Sequence, residues 1–342
     1  MTIKVLIVGA GAVGAFYGSR IAQVQGTQVS VICRSNYKAV TANGFNVTSP
    51  KFGEYKYIPH QTFANPQEAR DSNEDWDFVV VSTKALPDVS DDSEILESLV
   101  RKGHTSIVLV QNGIGVEEPY SKRFSGSTIL SAVTVVSAEQ TSPGFIKHNR
   151  WTRISIGPYL PGVVESTKLN DDQETAVQRN KTFVKLLQTG GIADAQEYSH
   201  WKLQMVRWHK IAINASMNPS AVLSSGSTNN DMSLDPELYI HLKGVMDEVL
   251  DTAPKILGTK LPKEFATSEQ LLKSTQKNTS GSKPSMLLDW EQGKTMELEV
   301  ILGNPIRIAR RHGLEMPRLQ TLYALLRKAQ ENRTKKKLDS KL

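Results

Sequence analysis

Lys210, Asn214 and Asn218 fall at i, i+4 and i+8 of the stretch "WHKIAINASMNP", where Ile211, Ala212, Ile213, Ala215 and Met217 predict an apolar helix. A lysine and two amides therefore share one face of an otherwise hydrophobic segment. Hydride addition to a ketone leaves an alkoxide that needs a proton. A lysine ammonium is a fitting donor, because burial lowers its pKa toward working pH. The amides can donate to, and accept from, a hydroxyl or a carboxylate. The structural alternative is a snorkelling lysine with two amides bridging helices. Pro219 removes the N–H that would bond the Ala215 carbonyl, and so predicts a disturbance beside Asn218. A second polar group lies downstream in "KPSMLLDWEQGKTMELEVILGN". Ser285 stands at a predicted helix start and Glu297 in the first turn of the next helix. Taken alone, these two read first as an N-cap and a dipole-matched acid.

A hydride donor is signalled at the other end of the chain. Gly9, Ala10, Gly11, Ala12, Val13 and Gly14 spell GxGxxG between a buried strand and a helix. The first glycine permits the tight turn and the second lets backbone approach a pyrophosphate. The third lets helix and strand pack closely, and the helix N-terminus faces the phosphates. An NAD site would carry an acid about 20 residues further on. Here the second strand ends "VICRSN". Arg34 can instead pair with the 2′-phosphate of NADP, with Ser35 or Asn36 as support, a charge-assisted contact of about 1.5–3 kcal/mol. Lys84 in "STKA" and Asn112 in "QNGIG" end the next two strands, where ligands of open α/β sheets lie. For each one alone, a turn-forming polar residue is an equal reading.

The elements that must position these groups divide the chain. At 342 residues it is long enough for two domains. "KVLIVGAGAVGAFYGSRIAQVQGTQVSVICR" alternates strand, helix and strand. "DFVVVSTK" and "SIVLVQNG" continue as buried strands with a helix-length segment between them. The alternation predicts a parallel sheet. "GSTILSAVTVVSAE", "GFIKHNR" and "WTRISIGPY" read as antiparallel strands closing that domain. From about Asp171 the pattern is helical, over roughly 172–189, 200–218, 235–257, 264–276, 284–312 and 317–333. The expected domains are 1–195, dinucleotide-binding; 196–333, helical and substrate-binding; and 334–342, a disordered basic tail. A cleft between the first two would hold the active site.

Composition sets the remaining bounds. The net charge is +6, of which the last ten residues, "RTKKKLDSKL", contribute +4 through five basic residues and one acid. The rest is only mildly basic, which argues against a nucleic-acid face. No apolar run reaches the ~20 residues of a membrane span, and no signal peptide is visible. A lone cysteine, Cys33, excludes an internal disulfide and points to a reducing compartment. No metal site is expected.

The order and spacing of the glycine start, "TKA", "QNGIG", "PGFIKH", "KIAINASMNP" and "PSMLLDWEQGKTMELE…HGLEMP" resemble the ketopantoate reductase (2-dehydropantoate 2-reductase) family over roughly residues 3–330. The resemblance implies an α/β Rossmann-type domain followed by an all-α domain like that of 6-phosphogluconate dehydrogenase. It also implies NADP(H)-dependent reduction of ketopantoate to pantoate, a step of pantothenate biosynthesis. By the same resemblance Lys210 is the proton donor and Glu297 the acidic residue near nicotinamide and substrate. Asn214, Asn218 and Ser285 bind substrate, and Asn112 touches both ligands. Arg34 and Lys84 match cofactor-binding positions. Two departures bear on the acid recognised. Leu302, not asparagine, precedes Gly303. Thr228, followed by Asn229 and Asn230, stands where many members have a further substrate asparagine. A paralogue acting on another branched 2-oxo acid, and a non-catalytic NADP sensor, are the alternatives. Retention of Lys210, Asn214, Asn218, Ser285 and Glu297 together argues against the sensor.

The partners expected are therefore a small 2-oxo acid, with homodimerisation left open, and neither nucleic acid nor membrane. Ser340-Lys341-Leu342 match the tripeptide read by the peroxisomal import receptor, after a polar basic segment expected to be unstructured. The expected location is the peroxisomal matrix, with the cytosol as the alternative.

Overall fold

The structure is a computed structural model that describes residues 2–163 and 168–339. The Ser340-Lys341-Leu342 tripeptide lies outside the described residues. The chain separates into two compact units. The first comprises Met1–Lys84, Asp91–Gln111 and Val116–Gln204. The second comprises Ala85–Ser90, Asn112–Gly115 and Met205–Leu342. Two short stretches from the first half of the sequence thus belong with the helices of the second half, which contiguous boundaries at 195 and 196 do not contain.

The first unit is built on a ten-stranded sheet. Its strands are β1 (Ile3–Val8), β2 (Thr27–Ile32), β3 (Phe45–Ser49), β4 (Gly53–Tyr57), β5 (Thr62–Phe63), β6 (Phe78–Val81), β7 (Ser106–Leu109), β8 (Ile129–Ser142), β9 (Phe145–Pro158) and β10 (Ala195–Glu197). The spatial order is β4-β3-β9-β8-β7-β6-β1-β2-β5, with β10 beside β9. From β5 through β8 all pairings are parallel, as the βαβ alternation predicts. Helices α1 (Ala12–Ile21), α2 (Tyr37–Asn43), α3 (Pro66–Asp71), α4 (Glu118–Arg123) and α5 (Asp171–Thr189) complete the unit. Where a central strand is buried on both faces its residues must be apolar, and Val5–Val8 of β1 show why. Val5 and Ile7 enter one hydrophobic cluster with Phe16 and Phe183, while Leu6 and Val8 enter another with Trp76 and Leu96.

Three local expectations are corrected. The segment between β6 and β7 forms only a single 3-10 turn, Glu94–Leu96, rather than a full helix. "GFIKHNR" and "WTRISIGPY" are one strand, β9, carried past Trp151 at φ 56° by register shifts against β8. These closing strands are antiparallel to one another, but β8 runs parallel to β7 and β9 parallel to β3 and β10.

The second unit contains no strand among the described residues. Its helices are α6 (His200–Leu223, within the unit from Met205 on), α7 (Asn229–Leu234), α8 (Pro236–Leu257), α9 (Ser268–Gln276), α10 (Ser285–Glu291), α11 (Asn304–Arg311) and α12 (Pro317–Asp339). A π-helical turn, Glu299–Gly303, runs directly into α11. Pro219 does not end α6. The helix continues through it to Leu223 and stops before Ser225 and Gly226, both at positive φ. The expected tail is also corrected in part, because residues 334–339 are helical within α12.

Candidate active site

The glycine loop follows β1. Gly9 has φ 92°, and a Cβ there would lie 2.8 Å from the Thr83 nitrogen. A Cβ on Gly14 would collide with the Ser82 hydroxyl and lie 2.7 Å from the Gly9 carbonyl oxygen. Both glycines are thus required by conformation or packing within the fold. Gly11 is different. Its φ of −79° suits any residue, and a Cβ there would meet nothing within 4 Å. The fold leaves open space beside the first turn of α1, where a pyrophosphate needs bare backbone. Gly11 is the N-cap of α1, which has no side-chain cap and no acid in its first turn. Its first N–H groups suit an anion. These residues fit a dinucleotide.

Around this loop, Arg34 and Ser35 are exposed just past β2, and Lys84 is exposed beyond β6. Asn36 has another task than the 2′-phosphate contact expected of it. It is buried and donates from Nδ2 to the Ala10 carbonyl at 2.8 Å and to Gln140 Oε1 at 3.3 Å. Its amide pins the glycine loop from behind. Ser82 adds a hydroxyl bond to the Gly9 carbonyl at 2.8 Å.

The second unit assembles the lysine site. Lys210 Nζ donates to Asn112 Oδ1 at 2.7 Å, across 98 residues of sequence. The loop Asn112–Gly115 is held at consecutive residues. Arg207 Nη1 donates to the Gly113 carbonyl at 2.9 Å, and Asn304 Nδ2 to the Ile114 carbonyl at 2.7 Å. The Ile114 N–H donates to the Val300 carbonyl of the π turn at 2.8 Å. Gly113, at φ 101°, lies so close to Val300 that a Cβ would enter its side chain. Glu297 is only 6% exposed and its Oε1 accepts from the Ala85 N–H at 3.1 Å. That bond is made by one of the short stretches that join the helices. Glu297 sits just before the π turn rather than in a first α-helical turn.

Charge around Lys210 follows from this packing. Burial pushes its ammonium down to about 8, the like charge of Arg207 adds to that, and the Glu297 carboxylate opposes it. The site therefore holds a cationic acid that can release a proton near neutral pH. Asn214 is half-buried and Asn218 5% exposed on the same helix. Ser285 is the exposed first residue of α10, where Pro284 takes the N-cap position, so it is not the cap expected of it. No hydrogen bond joins Asn214, Asn218 or Ser285 to Lys210 among the described residues.

Arg207, Asn304 and the π turn were not legible as site features. Arg207 precedes Lys210 by one helical turn and extends its face, the single available cue. The departure at Thr228 also has a structural account. Its hydroxyl caps α7, accepting from Asp231 N at 3.2 Å and donating to Asp231 Oδ2 at 2.7 Å. Asn230 donates from its amide to the Gln276 carbonyl at 2.8 Å. Both side chains serve the local fold.

Residues 5–161 match the family described as ketopantoate reductase PanE/ApbA, and residues 202–330 match its C-terminal counterpart. A 2-dehydropantoate 2-reductase of Nostoc sp. is 27% identical, over 95% of this chain and 94% of its own. An uncharacterised protein of Saccharomyces cerevisiae is 29% identical, over 94% and 92%. The crystal structure of 2-dehydropantoate 2-reductase from Methylococcus capsulatus superposes with a TM-score of 0.80 at 30% identity, covering 97% of this chain and 98% of its own.

Proposed function

The chain belongs to the ketopantoate reductase family, whose members are NADP-dependent oxidoreductases, and on that premise we propose that it reduces ketopantoate to pantoate with NADPH, a step of pantothenate biosynthesis. The observation that carries this reading is the half-buried Lys210 ammonium, its charge penalised by burial, bonded to Asn112 and opposed by the charge of Glu297. Bound NADPH would supply a hydride to C2 of the keto acid. The chain's own residues supply the rest. Lys210 gives its proton to the carbonyl oxygen as that carbon is reduced, and the resulting amine regains a proton from solvent. Asn112 accepts from Lys210 and so aims the ammonium, while Glu297, fixed by the Ala85 N–H, steadies its charge. Asn214, Asn218 and Ser285 hold the carboxylate and hydroxyl of the acid. The bare backbone at Gly11 and the start of α1 bind the pyrophosphate. Arg34 pairs with the 2′-phosphate and Lys84 assists at the cofactor.

Steady-state assay of the purified protein against a panel of 2-oxo acids, with NADPH and with NADH, tests the reading. Ketopantoate with NADPH should give the highest kcat/KM. Failure to reduce any acid of the panel would overturn it. A second reading keeps the chemistry and changes the acid to another small branched 2-oxo acid. It is favoured by Thr228 and Asn230, both committed to local structure and so withdrawn from substrate contact. The same panel separates the two.

A further inference from the structure

Arg207 is a charged side chain only 2% exposed, one helical turn before Lys210 on α6, so the two share a face. A guanidinium is rarely buried this deeply without a task. Its Nη1 donates to the Gly113 carbonyl, in the loop whose preceding residue, Asn112, accepts from Lys210. One buried cation therefore touches the proton donor's partner loop and lies along the proton donor's own helix face.

We propose that Arg207 is a positioning residue of the reduction, fixing the loop that carries Asn112 and setting a like charge one turn from the Lys210 ammonium. The proposal rests on the function argued above and names a residue that reading does not use. Among the described residues, the charges acting on Lys210 come from two elements, Arg207 from α6 and Glu297 from the segment before the π turn. The Asn112–Gly115 loop contributes a neutral amide, and His209, next to Lys210, bonds away to the Ala266 carbonyl at 2.8 Å. Arg207 lowers the lysine pKa and Glu297 raises it. Removing Arg207 should therefore raise that pKa, and with it the pH at which proton donation is lost. Asn304 shares only the mechanical half of the task, because it anchors the Ile114 carbonyl without bearing charge.

The test measures Lys210 acidity directly, by the pH dependence of its acetylation with acetic anhydride in the full chain, alongside kcat for ketopantoate reduction. In Arg207→Gln the labelling midpoint should rise by about half a unit to one unit. In Arg207→Lys, which keeps the charge but loses the planar fork, the midpoint should hold while kcat falls. An unmoved midpoint in a folded Arg207→Gln protein overturns the proposal. Should Arg207→Gln fail to fold, Arg207→Lys carries the test: its kcat should fall about tenfold or more, and an unchanged kcat overturns the positioning role. If the parent protein reduces no acid while the midpoint still shifts, the function argued above fails and the charge coupling stands.

Discussion

Lys210 sits where its proton can be lost near pH 8, and activity should report this directly. In the proposed mechanism the protonated form is the donor, so reduction should be supported below about pH 8 and lost above it, by roughly a decade per pH unit. Stability runs the other way. The folded pKa lies below the ordinary lysine value, so between about 8 and 10.5 the unfolded chain holds this proton more tightly, and Lys210's own contribution to stability rises with pH. A kcat/KM profile flat to pH 10 would contradict the assignment. Lys210→Ala should lower kcat by ~10²–10⁴ while NADPH still binds, measured by turnover and by fluorescence titration of the cofactor. At the cofactor end, Arg34 is exposed past β2 with no acid beside it in "VICRSN". Arg34→Ala should raise KM for NADPH about ten- to a hundredfold and leave KM for NADH nearly unchanged. Equal losses with both cofactors would remove the 2′-phosphate from its role.

At the scale of elements, the loop Asn112–Gly115 depends on a glycine for two separate reasons. Gly113 has φ 101° and abuts Val300 of the π turn, whereas Gly103 has φ 73° but open space where a Cβ would be. Gly103→Ala should therefore cost about 1 kcal/mol, from conformation alone. Gly113→Ala adds the collision and should cost about 3 kcal/mol or more. It should also lower kcat, because Asn112 moves with the loop. Thermal melts of the two variants decide the matter, and equal losses would mean that the Val300 contact is unimportant. The π turn has a reason of its own. Its Val300 carbonyl accepts from Ile114 N–H, a partner a regular helix would not leave available in mid-ladder.

For the molecule as a whole, two short stretches of the first half complete the helical unit. Ala85 bonds Glu297 and Ile114 bonds Val300, so residues 205–342 alone would lack both partners. A fragment of those residues should melt several degrees below the corresponding transition of the full chain, at about 4–8 °C per kcal/mol lost. It should also leave the Glu297 carboxylate and Lys210 without their bonds to Ala85 and Asn112. A fragment as stable as the intact chain, with Lys210 titrating unchanged, would show the two stretches to be incidental.

Much of this was legible along the chain because it is encoded by local period. The run of apolar residues in β1, the glycines at 9, 11 and 14, and the 3.6-residue spacing of Lys210, Asn214 and Asn218 each declare an element and a face without reference to anything distant. The end of the second strand, "VICRSN", singled out Arg34 for want of an acid, and motif resemblance gave Ser285 and Glu297 their expected roles. What tertiary structure decided is which residues meet. Lys210 finds Asn112 across 98 positions, Arg207 finds the next residue's carbonyl, and Asn36 turns inward to the glycine loop instead of outward to a phosphate. Neither the π turn nor the continuation of α6 through Pro219 follows from propensity, since each is sustained by the packing around it. A sequence period fixes the direction in which a side chain points, but its partner, its burial and therefore its pKa are set by chain segments that only folding brings together.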